Sequence, residues 1–69
     1  MINVAIIGAG IGEKHLNGFL ELPDTFSVRY VCDLDEARGR GLLENLPEIR
    51  FTTNMADALA DPEIDIVDI

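Results

Sequence analysis

The chain has 69 residues, 48% of them apolar and 26% charged, and its formal net charge of −8 comes from 13 acidic and 5 basic side chains. This length sets an upper bound of one small domain, because about 60 residues bury only roughly 60% of the surface their unfolded chain exposes. The acidic balance excludes nucleic-acid backbones and anionic membrane surfaces as partners, and it leaves any bound phosphate to local backbone donors. The one cysteine, Cys32, permits no internal disulfide, and Met1-Ile2-Asn3 runs into a strand with no basic leader. Together they lead to the expectation of a cytoplasmic protein. No apolar stretch approaches the roughly 20 residues of a membrane helix.

Ile2 to Ile7 is a nearly continuous, β-branched apolar run, the pattern of a parallel strand covered on both faces. It stops at Gly8-Ala9-Gly10-Ile11-Gly12. From Glu13 to Leu22 the apolar residues Leu16, Phe19 and Leu20 keep helical spacing, with Gly18 a candidate for close packing on the strand. Pro23-Asp24 ends that element. Phe26 to Cys32 reads as a second strand, with Phe26, Val28, Tyr30 and Cys32 on one face and Val31 on the other. A second helix runs from Glu36 to about Asn45, weakened by Gly39 and Gly41, with i, i+4 ion pairs Glu36–Arg40 and Arg40–Glu44. Ile49 to Thr52 is a short third strand. Asn54 caps a third helix, with Met55 and Leu59 as its buried stripe. Ile64 to Ile69 reads as a fourth strand. The order β-α-β-α-β-α-β predicts a parallel α/β sheet, the first half of a doubly wound nucleotide-binding fold.

Strand, glycine turn, helix is the context in which glycines signal phosphate binding. Glycine reverses the chain tightly at φ > 0 and has no Cβ to hold a pyrophosphate away. The helix start then offers unpaired N–H groups and the positive end of its dipole. Gly8, Gly10 and Gly12 are therefore candidate phosphate-binding residues. Asp33 ends the second strand 25 residues after Gly8, where the dinucleotide fingerprint places an acidic residue that accepts from the adenosine ribose hydroxyls. Asp33 also fits a helix cap, although Asp35 fits that role equally well. The spacing here, Gly8-x-Gly10-x-Gly12, is one residue shorter than G-x-G-x-x-G. It also occurs in S-adenosylmethionine-dependent methyltransferases, but their acidic residue two positions before the first glycine is Ile6 in this chain. Glu13 would repel a pyrophosphate if it faced inward.

Three stretches in order resemble the N-terminal part of the Gfo/Idh/MocA family of NAD(P)-dependent oxidoreductases. They are Val4 to His15, Val31 to Arg38 and Ala56 to Ile69. Gly12-Glu13-Lys14-His15 matches the second half of the family's G-x-G-x-x-G-x-x-H. The resemblance implies backbone contacts to the dinucleotide at Gly8, Gly10, Ile11 and Gly12, and ribose binding at Asp33. His15 reads as a packing or hydrogen-bonding residue, Lys14 as solvated, Cys32 as core, and Asp61 to Asp68 as a solvated turn and strand edge. The family's catalytic Thr-Pro-x-x-His-like and Glu-Lys-Pro segments have no match in the chain.

The resulting expectation is a truncated dinucleotide-binding domain over residues 1–69, inactive by itself. Its parent would be an oxidoreductase that moves hydride between a nicotinamide and a sugar- or polyol-like small-molecule substrate. The alternatives are a stand-alone nucleotide-binding or interaction module and a methyltransferase fragment. NAD is expected over NADP, because Asp33 repels a 2′-phosphate and neither Leu34 nor Asp35 supplies a cation. Bare strand edges lead to the further expectation of self-association, most simply a two-fold dimer with Ile64 to Ile69 at the contact.

Overall fold

The computed structural model describes residues 1–69, the side chain of Ile11 excepted. In chain order the elements are β1 (Ile2–Ile7), α1 (Ala9–Leu20), β2 (Phe26–Cys32), α2 (Glu36–Leu42), β3 (Arg50–Thr52), α3 (Met55–Leu59) and β4 (Ile66–Asp68). The strands form one parallel sheet in the order β3-β2-β1-β4. The chain builds outward from β1 through β2 to β3, then returns to add β4 on the other side of β1. That reversal creates a crevice at the carboxyl ends of β1 and β4, the switch point where open α/β sheets bind ligands.

One sheet face carries the main core of Val4, Ile6, Ala9, Leu16, Val28, Val31, Leu43 and Ile49, with Phe19 and Phe26 packed against it. Helices α1 and α2 cover this face. Phe19 meets Phe26 edge-on with ring centroids 4.9 Å apart. The opposite face is thinner: Ala5, Tyr30 and Ala58 are buried there, with Ile64 against them.

Several elements depart from the sequence pattern for identifiable reasons. Helix α1 begins at Ala9 rather than Glu13, so Gly10 and Gly12 lie inside its first turns. Gly18 is open, with nothing within 4 Å of a Cβ built there, and does not serve close packing. In β2, Val4 pairs with Val28 but Ala5 pairs with Tyr30, so Arg29 is an extra, bulged residue. A bulge shifts the two-residue alternation by one, which puts Val31 with Val28 in the main core and sends Tyr30 to the other face. Helix α2 ends at Leu42 instead of near Asn45, and Ile49 is buried just before β3 starts at Arg50. Gly39 is required by packing, since a Cβ there would come within 1.9 Å of the Phe51 ring. Arg40 pairs with Glu36 at 2.8 Å and lies 5.3 Å from the centre of the Phe51 ring, and it forms no ion pair with Glu44 among the described residues. Helix α3 is only five residues long and buries Ala58; Met55 and Leu59 stay 44% and 55% exposed. Strand β4 spans Ile66–Asp68, shorter than the apolar run that contains it.

Candidate functional site

The site is built where β1 stops. Gly8 has φ = +96°, which side-chain-bearing residues rarely adopt, and its N–H donates to the Cys32 carbonyl at 2.7 Å. This turns the chain straight into α1, whose first intrahelical bond runs from Gly12 N–H to the Gly8 carbonyl at 3.1 Å. Gly8 has no side chain to cap the helix. Asp33 takes over that role from the end of β2: Oδ2 accepts from Ala9 N–H at 2.6 Å and Oδ1 from Asp35 N–H at 2.7 Å. Helix geometry leaves the next amides, Gly10 and Ile11, without an intrahelical acceptor. The side chain of Ile11 lies outside the described residues.

The three glycines stand in three different settings. Gly8 supplies the positive φ. A Cβ at Gly10 would lie 3.3 Å from Arg38 Nη1, the end of a flexible side chain. Gly12 is a packing residue: its Cβ would stand 2.8 Å from Cγ2 of the fully buried Ile6. Turn, close approach and helix-on-strand packing are the roles of the three fingerprint glycines. The one-residue shortening therefore leaves the turn glycine and the packing glycine in place.

The Asp33 carboxyl is held below its ordinary pKa, first by the Asp35 amide and then by the Ala9 amide; desolvation opposes them and the Arg38 charge assists. It therefore remains an ionised acceptor at neutral pH, with lone pairs left for ribose hydroxyls. The capping alternative falls to Asp35, which is the N-cap of α2 and accepts from Arg38 N–H at 3.1 Å.

Beside Asp33 opens a cleft of about 430 Å³ lined by Ile7, Gly8, Cys32, Asp33, Leu34, Thr53 and Met55. That volume lies in the range of small-ligand sites, roughly 300–1,000 Å³. Its wall across from Asp33 is shaped by the β3–α3 connection. There the Thr52 hydroxyl donates to Asp57 at 2.6 Å and accepts from Asn54 N–H at 3.0 Å, while Asn54 Oδ1 accepts from Ala56 N–H at 3.0 Å. Leu34, Thr53 and Met55 line this cleft although the sequence pattern did not single them out for it. The available signal was their place just past the carboxyl ends of β2 and β3; Leu34 is 91% exposed, an apolar residue with no core to join. Cys32 is buried as expected, and burial, then Asp33 and Asp57, push its thiol up.

His15 stands away from the cleft. Its Nδ1 lies 2.6 Å from Asp68 Oδ2 and ties α1 to β4, a hydrogen-bonding role. Lys14 is exposed. The acidic run is not simply solvated: Asp61 accepts from the Tyr30 hydroxyl at 2.9 Å, and Asp65 from Asn3 N–H at 2.8 Å. Among the described residues no helix is long and apolar enough to cross a membrane.

Comparison with known proteins agrees with this geometry. Residues 2–69 match the family model described as the Gfo/Idh/MocA oxidoreductase family, NAD-binding Rossmann fold. The uncharacterized protein YMR315W of Saccharomyces cerevisiae is 31% identical over 71 residues, covering 97% of this chain and 20% of the yeast protein. The crystal structure of GenD2 from gentamicin A biosynthesis, in complex with NAD, superposes with a TM-score of 0.86 at 33% identity, over 96% of this chain and 19% of that one. Myo-inositol dehydrogenase from Lactobacillus casei, in complex with NAD(H) and myo-inositol, shares the fold with a TM-score of 0.85 at 23% identity, over 97% of this chain and 20% of that one. The chain thus spans about a fifth of the length of the proteins it matches. It belongs to the Gfo/Idh/MocA family of oxidoreductases, as an NAD-binding Rossmann domain.

Proposed function

We propose that this chain is the dinucleotide-binding part of an oxidoreductase that prefers NAD to NADP and acts on a sugar- or polyol-like substrate. In this reading the pyrophosphate lies on the Gly10 and Ile11 amides, Asp33 receives the adenosine ribose, and the adenine enters the cleft between Leu34 and Met55. The observation that carries it is the double engagement of Asp33 with Ala9 and Asp35. One carboxylate both fixes the glycine turn and stands ready, ionised, where the ribose arrives. Gly8 and Gly12 contribute the turn and the close seating of α1 rather than direct grip. The nicotinamide supplies hydride acceptance or donation when bound. No catalytic residue is assigned within these 69 residues, so the chain alone binds cofactor without turning over substrate. The relatives named for an antibiotic pathway and for inositol motivate the substrate class.

Calorimetric titration with NAD, NADP and S-adenosylmethionine tests the reading. NAD should bind most tightly, S-adenosylmethionine should show no heat of binding, and Gly10→Val should abolish NAD binding while the protein stays folded. The valine Cβ would meet only the mobile end of Arg38, whereas its bulk would fill the space over the helix start. Undiminished NAD affinity in a folded Gly10→Val protein would refute this placement of the phosphates.

A further inference from the structure

Gly18 lies within α1, where glycine is about 1 kcal/mol less favourable than alanine. Nothing inside the chain accounts for it. The positive φ belongs to Gly8, and a Cβ built at Gly18 would meet nothing within 4 Å. Gly18 borders a groove of about 460 Å³ that His15, Phe19 and Leu22 also line, and Leu22 is 53% exposed. The groove opens on the β4 side of α1, where Asp68 closes it. Helix α3 covers the opposite face of the sheet. A right-handed crossover from β4 to any strand outside it would join α3 there. The topology of the sheet therefore leaves the outer face of α1 bare.

Successive helical residues turn by about 100°. Seen from Gly18, Lys14 and Glu21 therefore lie about 40° and 60° to one side, and His15 lies about 60° to the other, where the groove opens. Glu21 caps α1 with helical backbone angles, φ −73° and ψ −12°. Lys14 and Glu21 are both exposed, and among the described residues neither makes an ion pair. Within one chain they are too far apart along the helix to meet, because pairing there needs a spacing of three or four residues. We propose that this face of α1 is a contact between two copies of the chain, crossing antiparallel at Gly18. A two-fold axis in the contact plane, perpendicular to α1 at Gly18, reverses the direction along the helix and keeps the side. It sets Lys14 of each copy opposite the partner's Glu21, twice over, and each His15 over the partner's Leu22. Such self-complementarity is what an isologous contact requires. Gly18 then has its reason: without a Cβ at the crossing, the backbones approach at the short end of the usual range of roughly 8–10 Å. This contact is separate from the bare edge of β4. A net charge of −8 on each copy opposes it, and the charge pairs are exposed, so the dimer is weak.

Sedimentation equilibrium tests the proposal, in the chain carrying Ile66→Lys so that the β4 edge does not contribute. That chain should show a concentration-dependent monomer–dimer equilibrium. Adding Gly18→Arg should leave it monomeric and folded, since arginine is a better helix former than glycine. Lys14→Glu and Glu21→Lys each set like charges face to face and should each weaken dimerisation about ten-fold. The two substitutions together restore opposite charges and should recover most of the loss. Dimerisation unaffected by Gly18→Arg, or a double charge swap no better than the single ones, would overturn the proposal. A monomer at every concentration would also overturn it and leave this face of α1 to another part of a longer parent.

Discussion

Gly12→Ala isolates the packing on which the geometry of the helix start depends. Alanine is the better helix former by about 1 kcal/mol, so propensity alone predicts a more stable protein. The added Cβ, however, would stand 2.8 Å from Ile6 Cγ2, and Ile6 of β1 is fully buried in the core beneath α1. Neither side has space to yield, so α1 must lift from the sheet. Overpacking of this kind costs about 1–3 kcal/mol, which leaves Gly12→Ala neutral to about 2 kcal/mol less stable. Gly18→Ala in the same helix is the internal control. It gains the same propensity and meets nothing within 4 Å, so it should stabilise. The difference between the two variants is then the overpacking alone, about 1–3 kcal/mol. At about 4–8 °C per kcal/mol for a domain of this size, thermal unfolding should place Gly18→Ala well above Gly12→Ala. NAD affinity should fall in Gly12→Ala and stay unchanged in Gly18→Ala. Equal Tm values for the two variants would show that α1 is not seated on Ile6 as described.

Four further outcomes follow from named residues. Asp33→Asn should weaken NAD binding and narrow the preference over NADP, measured as the ratio of the two dissociation constants; an unchanged ratio would remove the ribose role. Because the Asp33 pKa is lowered on folding, its stabilising contribution is fully present above the ordinary carboxylate value of about 3.9. It is lost as pH falls through the lower folded value, so acid unfolding of wild type should show a loss in that window that Asp33→Asn lacks. Cys32, buried with its thiol pushed up, should react with iodoacetamide at pH 8 far more slowly than in urea, and equal rates would contradict its packing. The edge strand β4 leaves Ile66 38% and Ile69 83% exposed, so the 69-residue chain should self-associate in sedimentation equilibrium and Ile66→Lys should shift it toward monomer; a wild-type monomer at tens of micromolar would refute that contact.

The strand-turn-helix core of the site was legible because its signals are local: a β-branched run, an abrupt glycine, and an acidic residue at the end of the next strand. Asp35 is the cap of α2, while Asp33 accepts from the amides of Ala9 and Asp35; the residue pattern left the cap open and only hydrogen-bond geometry decides it. The start of α1 was misplaced because glycine is a poor helix former; here Gly10 and Gly12 are inside the helix, Gly12 packed against Ile6 of β1 and Gly10 facing Arg38 of α2. The face of Val31 was misread because the bulge at Arg29 reverses the alternation, and nothing in that heptapeptide announces it. Met55 and Leu59 look like a buried stripe in sequence, but a five-residue helix over a thin second core needs only Ala58. Their exposure is what frees Met55 to line the cleft. The closeness of Arg38 to Gly10 exists only once α1 and α2 pack side by side.

The central claim is that a dinucleotide lies from the Gly10–Ile11 amides across Asp33 into the Leu34–Met55 cleft. Titrating NAD into the isotopically labelled protein while following backbone amide resonances tests it most directly. The account predicts the largest shifts at Gly10 and Ile11, with further shifts at Leu34, Thr53 and Met55 and little change at Lys14, Gly18 and Phe19. Shifts confined to the groove around Lys14, His15 and Phe19, or none at saturating NAD, would contradict it.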